Sequence, residues 1–237
     1  MATVCDSYNP SRTEAQRFWD EQSKWVKASA DVLEGFPKRL NSSLAWKGED
    51  MWDKVSQWKL CLSAEDIGAI STAVLSFDKK YEDLSSISPS TFELPVELAQ
   101  HLRQLADNVY TGCGFQIIHG LDPSSFSARQ NIILYAGLSA HVFPQRGFVD
   151  VAGQRVIGHV VNVQDRGNGP ETVAPAFTNT PLSFHTDNCE VLSFYYKEMP
   201  SEGGRTILSS SWKVYNQLAE TRPEVLRTLA EPWVLDS

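Results

Sequence analysis

The tetrapeptide Phe184-His185-Thr186-Asp187 is the stretch of this chain best equipped for chemistry. It sets one imidazole and one carboxylate two residues apart. On extended backbone such residues share a face, so His185 and Asp187 are directed towards a common point. A neutral imidazole beside a carboxylate suits borderline divalent metals. Two histidines and one carboxylate on one face of an ion, with the opposite positions open, form the site at which non-haem iron(II) activates dioxygen. The pair supplies two of those three donors. Its plainer reading is two polar surface residues at the end of a strand.

The elements that must position the pair follow from pattern and punctuation. Phe18, Trp25, Val26, Ala30 and Leu33 recur every three or four positions, and Gly35 and Pro37 stop the run, which predicts an amphipathic helix over 13–34. The segment 38–59 is irregular and carries Trp46, Trp52 and Trp58, as a segment wrapped around a core would. Ser63 followed by Glu65 and Asp66 reads as a capping box opening a helix to about Phe77. Pro95 suits the first position of a further helix, ended by Gly112. Phe115 to Ile118 reads as a strand, 124–138 as a helix, and the valine-rich 155–164 as a second strand. Two glycines and two prolines mark 165–180 as a loop. Leu182 to His185 and Val191 to Lys197 are strand-like, Pro200 to Gly204 is a turn, and 206–208 is a short strand. Ser210 or Ser211 can cap a helix from Trp212 to Glu220, and Pro223 can open another reaching Leu229. Helices first and strands later predict an α+β fold. The expected division is a helical part over 1–110 packing on a strand-rich part over 111–237.

Other chemistry-bearing residues have modest readings. His159 lies among apolar alternate neighbours and His119 ends a strand, so both are expected to be core histidines. His141 with Arg146 can edge a cofactor pocket, or simply make a structural hydrogen bond. Cys189 sits just beyond the pair but has no flanking cation to activate a thiolate. The tryptophans at 46, 52 and 58 are expected to pack. Glu49, Asp50 and Asp53 lack the ligand spacing of a calcium site and read as a solvated face.

Composition narrows the partners. Lys and Arg number 21 against 29 Asp and Glu, a net charge of -8, with no basic cluster, which disfavours nucleic acid and anionic membrane surfaces. Cys5, Cys61, Cys113 and Cys189 have no paired spacing, so neither a zinc ribbon nor a disulfide framework is expected. No apolar run reaches the ~18 residues of a membrane-spanning helix, and the first residues lack a secretory pattern. A soluble protein of a reducing compartment, the cytoplasm, is the expectation.

Larger stretches carry more information. Phe184-His185-Thr186-Asp187, Glu202-Gly203-Gly204-Arg205-Thr206, Ser209-Ser210-Ser211-Trp212, Val214-Tyr215-Asn216, Thr221-Arg222-Pro223 and Leu229-Ala230-Glu231-Pro232-Trp233 together resemble the TauD/TfdA oxygenase family. Leu94-Pro95, the stretch from Gly112 to Gly120, Gly137-Leu138-Ser139-Ala140-His141 and Gln145-Arg146-Gly147 fit as well. The likeness is strongest to the fungal, taurine hydroxylase-like branch found in secondary-metabolite gene clusters. It implies a double-stranded β-helix, or jelly roll, here incomplete and joined to a helical N-terminal part. It also implies Fe(II) and 2-oxoglutarate, with His185 and Asp187 as metal ligands and Thr206 holding the distal carboxylate of the cosubstrate. The reaction implied is oxidative decarboxylation of 2-oxoglutarate to succinate, coupled to hydroxylation or desaturation of a small-molecule C–H bond. Such a role belongs to secondary metabolism, mycotoxin biosynthesis included. Taurine itself is a poor specific expectation, since no basic residue stands ready for a sulfonate.

The family places a second iron histidine and a 2-oxoglutarate-clamping arginine on later strands. The five histidines here are His101, His119, His141, His159 and His185, and none follows Asp187. A C-terminally truncated member is therefore expected, with open sheet edges and two protein donors for the metal. The alternatives are a non-catalytic remnant or binding module, and an unrelated acidic α+β binding protein.

Overall fold

A computed structural model describes residues 13, 16–17, 31–149, 153, 155–163 and 175–233. The chain divides into two units, Gly48–Ser209 and a second made of Met1–Lys47 with Ser210–Ser237.

Gly48–Ser209 opens with two single-turn helices, α1 (Gly48–Met51) and α2 (Val55–Trp58), separated by a 3-10 turn at Trp52–Lys54. The segment expected to be irregular therefore has local helical order. Strand β1 (Lys59–Cys61) follows directly. Ser63 then starts α3 (Ala64–Lys80): its hydroxyl accepts from the Asp66 amide at 3.1 Å, while the Asp66 carboxylate accepts from the Ser63 amide at 2.9 Å. Two amides that the helix leaves unpaired are satisfied reciprocally. Pro95 sits at the N-cap position just before α4 (Val96–Thr111), one residue ahead of the first helical position expected for it, and Gly112 ends the helix where an added Cβ would lie 2.6 Å from the Asn108 carbonyl. Strand β2 (Ile117–His119) runs parallel to β1, with Leu60 opposite Ile118. Ser127 and Gln130 build a second capping box at the start of α5 (Ala128–Val142).

Helix α5 is the axis of the core. It buries residues on several faces, among them Ile133, Leu134, Leu138 and Ala140, because α3 and α4 both pack against it. Ile70, Ala73, Val74 and Phe77 of α3 recur at helical spacing and face this core, as do Leu98, Leu102 and Leu105 of α4. Phe92 fills the space over Gly137, where a Cβ would approach the ring to 2.6 Å.

In the other unit Ser210 caps α6 (Ser211–Thr221), and Pro223 opens α7 (Pro223–Leu229) as its first residue. Asn216 treats Leu40 as a strand would. Its side-chain oxygen accepts from the Leu40 amide at 2.7 Å and its nitrogen donates to the Leu40 carbonyl at 2.9 Å. Tyr215 donates to the Pro37 carbonyl at 2.6 Å. Most of the helix expected over 13–34 lies outside the described residues. Thr13, Gln16 and Arg17 are helical, whereas 31–34 are not.

The later strands are the main departure from expectation. Among the described residues the only sheet is the β1–β2 pair, and 155–163, Leu182 to His185, Val191 to Lys197 and 206–208 form no strands. Alternating side chains suit a pleat, but a strand exists only when its backbone groups find a ladder partner. Here the backbone bonds are isolated, as from Val149 N–H to Arg155 O and from Val163 N–H to Phe177 O. Most of the expected loop 165–180 lies outside the described residues, and Pro175–Phe177 makes one 3-10 turn.

Candidate metal and cosubstrate site

His185 and Asp187 point the same way. His185 Nε2 lies 4.0 Å from Asp187 Oδ2, and both side chains are about half exposed, at 51% and 50%. That separation is too long for a hydrogen bond. The other ring nitrogen, Nδ1, lies 2.8 Å from the Ser183 carbonyl. A carbonyl only accepts, so this contact places a proton on Nδ1, and in the neutral imidazole the Nε2 lone pair is then the one on the side of Asp187. Metal-binding histidines are oriented in the same manner, by an outer hydrogen bond that fixes the tautomer.

The chain beyond the pair is tied to the helical core. Tyr135 of α5 donates to the Ser193 carbonyl at 2.8 Å, and its ring stacks on Tyr195 with centroids 5.7 Å apart. Tyr195 donates to the side-chain oxygen of buried Asn131 at 2.6 Å. Asn131 in turn donates to the carbonyls of Pro123, Phe126 and Ser127, each at 3.0 Å. Burial, and the nearby Asp122 carboxylate after it, push the Tyr195 phenol above its usual range, so it stays a donor.

Thr206 follows a turn in which Gly203 and Gly204 take φ of +71° and +65°, a conformation that side chains other than glycine disfavour. Its hydroxyl is hydrogen-bonded to that of Tyr196. Sequence reading did not single out Tyr196. The available signal was its place before the Pro-x-x-Gly-Gly turn, which brings it back towards Thr206.

The remaining candidates separate clearly. His141 is buried, and its Nε2 meets the Phe92 carbonyl at 2.7 Å, so it makes the structural hydrogen bond; Arg146 likewise donates to the Ile87 carbonyl at 2.5 Å. His119 and His159 are exposed, against the expectation of core histidines. His119 ends β2 opposite Cys61 at the margin of a two-stranded sheet, and His159 lies where no sheet forms to cover it. Cys189 is an exposed free thiol. Trp58 packs near Phe115 and donates to the Met51 carbonyl, while Trp52 is 75% exposed rather than packed. Among the described residues no three of His, Cys, Asp and Glu gather into a group able to hold a metal.

Comparison with known proteins decides the ancestry. Residues 80–237 match the family described as taurine catabolism dioxygenase TauD, TfdA family. This chain is a TauD/TfdA family member. It is also 31% identical, over 204 residues, to the taurine hydroxylase-like protein SAT17 of Stachybotrys chartarum, a match covering 84% of this chain and 52% of that protein. The chain thus spans about half the length of this curated relative.

The TauD/TfdA match contains His185, Asp187, Tyr196 and Thr206, together with α4 and α5. The donor types suit iron: one carboxylate, and one imidazole whose Nδ1 proton is engaged by the Ser183 carbonyl so that, in its neutral form, Nε2 is the free donor. Cis donors each ~2.1 Å from a divalent ion, a typical metal–nitrogen length, sit ~3 Å apart. The observed 4.0 Å is wider. Half-exposed side chains can close that distance by small torsional adjustments.

Proposed function

We propose that this chain is part of a non-haem Fe(II)/2-oxoglutarate-dependent oxygenase of the taurine hydroxylase-like branch, which hydroxylates or desaturates a C–H bond of a small molecule. The observation that carries this reading is the convergence of His185 Nε2 and Asp187 within a TauD/TfdA family segment. His185 and Asp187 would hold the iron, which, when bound, supplies dioxygen activation coupled to decarboxylation of 2-oxoglutarate. Ser183, through its carbonyl, keeps the imidazole in the ligating tautomer. Thr206 would donate its hydroxyl proton to the distal carboxylate of the cosubstrate and thereby orient the keto-acid end towards the metal. Tyr135 and Asn131 tie the intervening segment to α5 through Ser193 and Tyr195. The fungal branch that the sequence resembles supports a place in secondary metabolism, including toxin biosynthesis.

The test is made on the full-length protein. Iron-dependent consumption of 2-oxoglutarate with stoichiometric succinate is expected, lost on His185→Ala or Asp187→Ala. A full-length protein that binds neither Fe(II) nor 2-oxoglutarate would instead establish the non-catalytic reading.

A further inference from the structure

Thr206 is half of a pair. Its hydroxyl bonds to that of Tyr196, a side chain that is 48% exposed. Two features hold the two groups together. The double-glycine turn folds back tightly enough that a Cβ on Gly204 would run into the Pro200 ring. The preceding residue, Tyr195, is anchored on Asn131 of α5, which fixes the backbone from which Tyr196 projects.

A hydroxyl carries one proton and two lone pairs. When two hydroxyls bond to each other, one proton is used and the other remains to be given away. An anion with two oxygens can take both, because each hydroxyl can rotate its proton outward. Bonds from O–H to a carboxylate are short and charge-assisted, and stronger than the neutral bond they replace. Both groups are already in contact with solvent, so little desolvation opposes the exchange.

Building on the oxygenase reading above, we propose that Tyr196 is a second hydroxyl of the cosubstrate pocket, donating with Thr206 to the distal carboxylate of 2-oxoglutarate. A merely structural Tyr196–Thr206 link would act on stability and leave ligand affinity alone. Tyr196→Phe keeps the ring, including its contact with Phe194 at 6.5 Å between centroids, and removes only the hydroxyl.

The experiment is anaerobic calorimetric titration of the full-length Fe(II) protein with 2-oxoglutarate and, separately, with oxalate, which has no distal carboxylate. Tyr196→Phe is expected to weaken 2-oxoglutarate about tenfold and to leave oxalate affinity and Tm unchanged. Thr206→Ala should do the same, and the double variant should lose less than the product of the two, since both act on one carboxylate. In turnover the KM for 2-oxoglutarate should rise while kcat holds. A Tyr196→Phe protein binding 2-oxoglutarate within about twofold of the parent, or losing both ligands equally, overturns the proposal and leaves the oxygenase reading standing. A parent protein that binds Fe(II) and oxalate but not 2-oxoglutarate overturns both.

Discussion

At the scale of single residues, most of the proposed chemistry rests on the four-residue stretch from Phe184 to Asp187. The His-x-Asp spacing was legible in the sequence because it needs only locally extended backbone to bring two side chains to one side. The tautomer was not legible, since it depends on where the Ser183 carbonyl falls. Tyr196 was equally hidden, because its contact with Thr206 is made only when the glycine turn closes. These two levels make different demands on variants. His185→Ala and Asp187→Ala each delete a donor and should weaken Fe(II) binding by the full-length protein at least about a hundredfold, beyond the 10–100-fold that outer partners alone are worth. Thr206→Ala deletes one charge-assisted bond, worth ~1.5–3 kcal/mol. It should leave Fe(II) affinity unchanged and raise the 2-oxoglutarate concentration needed for half-saturation by tenfold or more. Metal titration by calorimetry, run beside the 2-oxoglutarate titration, separates the two kinds of loss.

At the scale of elements, the helices from α3 onward were readable and the later strands were not, for one physical reason. A helix satisfies its own backbone, and its ends are written locally. Ser63 with Asp66, Ser127 with Gln130, Pro95 and Ser210 all sit at helix starts. A strand borrows its hydrogen bonds from another segment, so the alternation of Val191 to Lys197 announces a suitable surface and not a partner. Strand β1 shows the converse, for only three residues without a clear alternating pattern pair with β2. Two outcomes test this level. Gly137→Ala gains ~1 kcal/mol of helix propensity but drives a methyl into the Phe92 ring, an overpacking cost of ~1–3 kcal/mol. A net loss of stability is therefore expected by urea denaturation, and Phe92→Leu should relieve it. At the N-terminus of α3, the Ser63 hydroxyl, and after it the Ser63 amide, hold the Asp66 carboxyl below the usual aspartate range. A depressed carboxylate stabilises above its unfolded pKa of ~3.9 and loses that contribution as pH falls through the folded value. Asp66 is largely solvent-exposed, so screening limits the effect, and the dipole contribution is about 0.5 kcal/mol. Asp66→Asn should thus trail the parent at pH 7 and draw level with it in acid.

At the scale of the whole chain, apolar side chains are unevenly distributed between inside and outside. The helical core of α3, α4 and α5 is closed around Phe77, Phe92, Leu102 and Ile133. By contrast Phe184 is 70% exposed, Phe194 58%, Met199 75% and Ile207 52%. These residues lie between positions 184 and 207, the same stretch that carries His185, Asp187 and Thr206. Scattered exposed apolar residues are ordinary, but several large ones along one segment make a surface prone to association. The stability of the helical core does not depend on that surface, because none of these side chains belongs to the buried cluster. The two properties should therefore separate in the 237-residue chain. It should bind a hydrophobic-surface dye and associate as its concentration rises, both measured by fluorescence and light scattering. Replacing Phe194 and Met199 together with serine should reduce dye binding and association several-fold, with Tm shifting by no more than about 2 °C. A matching fall in Tm would show instead that the segment is packed into the core, and the open surface inferred here would be wrong.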